Sequence, residues 1–229
     1  MPCVCCFRVF GSKFGVRCSP FPPLARLPRG QGAGLAARHS DLHRCGPYLA
    51  MLNEIDILRD ISRRLDSLQI AYMLTGSMAM NYYAVPRMTR DIDLVIALPP
   101  ASVFSLVHAL APDYMIVEEA VANAVVTGFM FNAIHEDSVI KVDFICRKNE
   151  TFRLAEFNRR RRILIEDFEA WIVSREDLIL AKLLWAKDSR SESQHNDIRN
   201  LLAGDCDLSY LQHWATDLQV IADLNSLLP

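Results

Sequence analysis

Residues 72–97 read YMLTGSMAMNYYAVPRMTRDIDLVIA, and the order of residue types in this stretch decides what kind of domain the chain builds. Ile70 to Leu74 is an apolar run of strand length, Gly76-Ser77 is a turn, a short helix follows to about Ala84, and a second strand opens at Asp91-Ile92-Asp93. A loop carrying Arg87 and Arg90 joins helix to strand. Gly76 lets the backbone come close to a ligand. Ser77 is placed to cap the helix, whose free N–H groups and partial positive charge suit a phosphate. Residues i and i+2 of a strand share a face, so Asp91 and Asp93 point one way while Ile92, Leu94 and Ile96 can enter a core. Two parallel carboxylates repel, and a divalent cation that favours oxygen ligands, such as Mg2+, resolves that repulsion.

A Gly-Ser turn, thirteen residues and then Asp-Ile-Asp resembles the signature of the DNA polymerase β-type nucleotidyltransferase superfamily. The wider text GSMAMNYYAVPRMTRDIDLVI, Gly76 to Ile96, is similar to bacterial nucleotidyltransferases related to the AbiEii toxins of type IV toxin-antitoxin systems. The similarity runs from about Met51 to the C-terminus, through Phe131–His135, Lys141-Val142-Asp143 and Glu176–Lys182. It implies an α/β (α+β) nucleotidyltransferase fold, a mixed sheet flanked by helices with a C-terminal helical part. It also implies an enzyme of EC 2.7.7 type that moves an NMP from an NTP to an acceptor hydroxyl. Two Mg2+ ions would be held by Asp91, Asp93 and Asp143, the triphosphate cradled by Gly76 and Ser77, and its charge met by Lys182 with Arg87 and Arg90. RNA such as tRNA is the implied acceptor, a cognate antitoxin the implied protein partner, and the cytoplasm the implied location. Two alternatives stay open: nucleotide transfer to a small molecule of antibiotic type, and a module that binds nucleotide or a partner without turnover. A lone Asp-x-Asp would read as a solvent-facing pair after a β-turn; the Gly-Ser turn and a third carboxylate strand weigh against that.

Around this stretch, 229 residues that are 51% hydrophobic with a net charge of −2 suffice to bury a core. No run of eighteen apolar residues occurs, so no transmembrane helix is expected. Composition shifts near residue 50. Residues 1–50 hold five of the seven cysteines and six of the eleven prolines and carry +6, leaving −8 for the rest. Lacking helical or strand periodicity, they read as a disordered extension upstream of a true start at Met51. A zinc site at Cys3, Cys5, Cys6 and Cys18 and an organelle transit peptide are the competing readings. The domain itself is expected over 51–173, with a helical region over 174–229 packed on it.

From Met51, the stripe Ile55, Leu58, Ile61, Leu65 and Leu68 predicts a packing helix. Ala101 to Leu110 reads as a surface helix, Tyr114 to Val117 as a short strand and Glu118 to Val125 as a short helix. Phe129–Ile134 and Val139–Ile145 read as a hairpin, in whose second strand Lys141 and Asp143 share the face opposite Ile140, Val142 and Phe144. Asp143 thus repeats the setting of Asp91 and Asp93, although a solvated strand face explains it equally well. The run Arg159–Arg162 reads as a solvated face in preference to a polyanion contact. Ser174 with Asp177 signals a helix start, after which Leu178, Ile179, Ala181 and Trp185 form the apolar side with Lys182 inside it. That lysine either snorkels or reaches a phosphate; the resemblance implies the second. Ser191–Leu202, Leu208–Ala215 and Val220–Leu228 predict closing helices. Asp197 is either an additional acidic site residue, as the resemblance implies, or half of a buried ion pair with Lys182 or an arginine.

Overall fold

The protein is described from a computed structural model, which covers residues 52–189 and 191–228. The expectations for residues 1–50 lie outside the described residues. Asn53 opens the first helix, α1 (Glu54–Ser67), by accepting from the Ile55 and Asp56 amides, while the Asp56 carboxylate accepts from the Asn53 N–H. This reciprocal cap fixes the start of an amphipathic helix that buries Ile57, Leu58, Ile61 and Leu65. The predicted strand, turn, helix and strand follow as β1 (Ala71–Thr75), α2 (Gly76–Tyr83) and β2 (Ile92–Ala97).

After a 3-10 turn at Pro100–Ser102 come α3 (Val103–Leu110), β3 (Tyr114–Met115), α4 (Glu118–Thr127) and the hairpin β4 (Met130–His135) with β5 (Lys141–Cys146). Three further elements were not anticipated: α5 (Thr151–Asn158) and the hairpin β6 (Arg161–Ile165) with β7 (Phe168–Ile172). The chain closes with α6 (Arg175–Ser189), α7 (Glu192–Leu202), α8 (Leu208–Asp217) and α9 (Ile221–Leu227). Among the described residues no helix is long and apolar enough to cross a membrane.

The seven strands form one mixed sheet in the order β3-β4-β5-β2-β1-β7-β6. β1 and β2 are antiparallel, whereas β2 and β5 are parallel, and in that register Asp93 stands opposite Asp143. Strand periodicity sorts the side chains: Ile92, Leu94 and Ile96 are buried, while Asp93, Val95 and Ala97 are half-buried on the other face. α1 covers the face that carries Leu74. α6 covers the face that carries Thr75 and Asp93.

Candidate active site

Four strands contribute to one row. Thr75 pairs with Asp93, Asp93 with Asp143, and Asp143 with Asn132. Adjacent strands lie about 4.8 Å apart, so the two carboxylates face one another at close range in a partly desolvated place. The cost falls on Asp93. Burial first, then the charges of Asp143 and Asp91, push its carboxyl up to about 6. Asp91 lies just ahead of β2 and not within it, and its side chain is 61% exposed. Asp143 is 6% exposed. Its Oδ2 is 2.7 Å from Lys141 Nζ, which also lies 3.7 Å from Asp91 Oδ1. Its Oδ1 is buried and accepts no hydrogen bond.

Lys141 was visible in the sequence on the same face as Asp143 but received no role there. Here its ammonium bridges two of the three acids. Among the described residues, no three His, Cys, Asp or Glu side chains gather in metal-binding geometry. The donor set nevertheless fits a hard divalent cation: two facing carboxylates, one destabilised as an anion and one with a buried oxygen that lacks a partner, both oxygen ligands. Holding it requires Lys141 to give way.

Gly76 has φ +64°, and a Cβ there would lie 2.0 Å from Asp93 Oδ2. A side chain at 76 is thus excluded twice, by a backbone conformation that L residues rarely adopt and by the Asp93 carboxylate itself. The close approach read from the sequence is made to the protein's own acid. Ser77 does not cap α2, which begins one residue earlier after an uncapped Thr75. Its hydroxyl instead accepts from Arg87 Nη2 at 2.6 Å. Arg87 is held by Asn81, whose amide clasps the Arg87 backbone N–H and C=O at 2.9 and 2.8 Å.

Asp197 is the hub of a second charged group. It accepts from Arg87 Nε and Nη2 at 3.2 and 3.0 Å and from Lys182 Nζ at 2.8 Å, while Lys182 also donates to Gln194 Oε1 at 3.1 Å. Burial opposes its ionisation, but the hydrogen bonds from Arg87 and Lys182 prevail and hold its carboxyl below the usual range. Of the two sequence readings of Asp197, the buried ion pair is the one observed. Lys182, 5% exposed, nonetheless lines the cleft beside Gly76 and Asp93.

That cleft is a cavity of about 400 Å³. Thr75, Gly76, Ser77, Asp93, Lys182 and Gln194 are among its polar lining; Val95, Ile145, Phe129 and Trp185 supply apolar surface; Arg147, Lys148, Arg153 and Glu156 add further charged groups. Trp185 was expected on a packing face and is 63% exposed. Glu156 was missed with its helix. It is buried, its carboxyl pushed up to about 7 by burial against the partial relief of Arg153, 2.9 Å away. Arg90 lines a different cavity with Leu58 and Leu74, on the α1 side of the sheet, so the structure does not bring it to the cleft. The arginine run is largely the solvated face expected, with Arg159, Arg161 and Arg162 exposed, but its guanidiniums have partners within the protein. Arg159 pairs with Asp177 and lies 3.7 Å from the Tyr210 ring centre, Arg160 lies over Phe157 and Trp171, and Arg161 donates to the Tyr83 hydroxyl.

Residues 49–226 match the family described as a nucleotidyltransferase of unknown function, DUF6036. The chain belongs to that nucleotidyltransferase family. Among solved structures this nucleotidyltransferase is similar to an antigenic nucleotidyltransferase-like protein from Paracoccidioides brasiliensis, at 18% identity over 75% of this chain and 90% of that one, TM-score 0.49. It is also similar to the antibiotic-resistance factor ANT(2'')-Ia, at 17% identity over 75% and 91%, TM-score 0.48. A third is a nucleotidyltransferase from Thermotoga maritima described as putative, at 14% over 65% and 96%, TM-score 0.45. No curated protein matches the chain.

Proposed function

We propose that this nucleotidyltransferase transfers an NMP from an NTP to an acceptor hydroxyl with Mg2+ held by Asp93 and Asp143, and by Asp91 from the rim. The observation that carries the reading is the in-register pair itself: Asp93 disfavoured as an anion and Asp143 with a buried, partnerless oxygen. When bound, a divalent cation neutralises these acids and polarises the phosphate under attack. The remaining roles belong to the chain. Gly76 keeps the backbone thin where the acids and phosphates meet, and the amides opening α2 face the donor. Lys182 supplies positive charge to the non-transferred phosphates. Asp197 and Gln194 hold that ammonium in place, and Arg87 fixes Ser77, so these residues position others and do not bind metal.

Two acceptor classes suit the same chemistry. An RNA acceptor, with an AbiEii-type toxin role and an antitoxin partner in the cytoplasm, follows from the sequence resemblance. A small hydroxyl-bearing molecule suits the modest cavity, and the −8 charge of residues 51–229 gives no chain-wide attraction for a polyanion. Incubation with α-labelled NTPs, Mg2+, total RNA and a small-molecule extract separates them by where the label goes. Nucleotide binding with no transfer to either class would leave only the binding module.

A further inference from the structure

We infer that Lys141 is the resident placeholder of the cation site: with no divalent cation bound its ammonium stands in for one, and the need to displace it sets how much cation loads the site. This rests on the transfer reading above and adds a regulation of the same acids by the chain itself. The placement comes from the sheet. Val142 pairs with Ile92 across the parallel β2–β5 ladder, so Lys141 and Asp91, one residue ahead of each, stand side by side. Alternation puts Lys141 on the same face of β5 as Asp143. One flexible stem thereby carries a positive charge into a corner that two carboxylates share, 2.7 Å from Asp143 Oδ2 and 3.7 Å from Asp91 Oδ1. The neighbouring cations are held by other partners. Lys182 has a side chain 6% exposed and is fixed by Asp197 and Gln194, and Arg87 is bound to Asp197 and Ser77. The Lys141 side chain is 40% exposed, so it can swing into water without opening the core. Its hold is also incomplete. One ammonium against three carboxylates leaves the corner negative, Asp143 Oδ1 stays buried without a hydrogen bond, and among the described residues no ion pair reaches Asp93. A divalent cation brings twice the charge of the ammonium and takes oxygen ligands from several acids at once, so it displaces the lysine at sufficient concentration. A monovalent cation brings no more charge than this tethered rival and does not.

The test is titration of the full-length chain with Mn2+, followed by the EPR signal of the free ion, in wild type, Lys141→Met and Lys141→Arg. Thermal melting of each in EDTA and in saturating Mn2+ completes it. Methionine keeps an unbranched stem and removes the charge, whereas arginine keeps the charge. Lys141→Met should bind Mn2+ about tenfold tighter, through loss of a competing and repelling charge. Lys141→Arg should bind it no tighter than wild type. In EDTA, Lys141→Met should melt about 2–4 °C lower, since the acids then repel one another unopposed, and saturating Mn2+ should close that gap. Unchanged or weaker Mn2+ binding in Lys141→Met overturns the inference and leaves the transfer reading standing, as does equal tightening in Lys141→Arg. A melting deficit that persists in saturating Mn2+ also overturns it, because the lysine would then be part of the fold and not a placeholder. Failure of both wild type and Lys141→Met to bind Mn2+ overturns this inference and the metal-dependent transfer reading together.

Discussion

Asp143 and Asp177 are both buried aspartates, and their surroundings are opposites. Asp177 is fully buried and accepts from Ser174 Oγ and Tyr210 OH, each at 2.6 Å, and from Arg159 Nε at 3.1 Å. Every cost of taking that charge out of water is offset locally, and the result ties the start of α6 to α8 and to the end of α5. Asp143 has one lysine on one oxygen, nothing on the other, and a second aspartate facing it across the sheet. A protein satisfies an acid that holds it together; an acid kept short of partners is available to something else.

Substitution should split the two. Asp177→Ala removes three hydrogen bonds and leaves Arg159 only its pairing with Glu176 at 3.2 Å, and should lower the unfolding free energy by about 3 kcal/mol in urea denaturation. Asp143→Ala should keep stability within about 1 kcal/mol of wild type yet cut labelled-nucleotide transfer roughly a thousandfold, as should Asp93→Ala. Equal stability losses at 143 and 177 would erase the distinction. Gly76→Ala should cost about 2 kcal/mol, and less in an Asp93→Ala background, which removes the 2.0 Å carboxylate contact but keeps the 2.9 Å contact with the Cβ at 93 and the left-handed backbone. A double-mutant cycle measures the difference.

The pH dependence sharpens the same contrast. Because the folded pKa of Asp93 is raised to about 6, its contribution to stability is fully present below its ordinary value and is lost as pH rises through 6. Without added Mg2+ the wild type should lose about 1–2 kcal/mol between pH 4 and 7 from this group, after allowance for solvent screening. Asp93→Asn should remove that loss and melt higher at pH 7. The smallest effect is expected at Arg90, which faces the other cavity: Arg90→Ala should alter Mg-ATP affinity by no more than about twofold.

The parts of the fold legible in sequence are those whose cause is local. The α1 stripe, the β1-turn-α2-β2 unit and the β4–β5 hairpin announce themselves through periodicity and turn chemistry. The β6–β7 hairpin does not. Its turn uses Glu166 at φ 52° where a glycine or asparagine would have signalled it, and Arg160 to Arg162 disguise its first strand as a charged surface. Those guanidiniums lie on Phe157, Trp171 and Tyr83, partners that only the folded chain brings near. The site divides in the same way. Gly76, Asp91 and Asp93 stand out by spacing and alternation and Asp143 only through the family resemblance, whereas the bridge by Lys141, the grip of Asp197 on Lys182 and the approach of Glu156 to the cleft depend on contacts distant in sequence.

Asp93 and Asp143 meet through the parallel alignment of β2 and β5 and not through a shared turn. The arm that joins these strands therefore has no geometric duty towards the pair. Residues could be added or lost between Leu98 and Phe129, and new surfaces grown there, while the two oxygens stayed where they are. Deleting one residue inside either strand would instead send a carboxylate to the opposite side of the sheet. Tolerance to change in this molecule should thus be wide along the arm and abruptly narrow at its two anchor points.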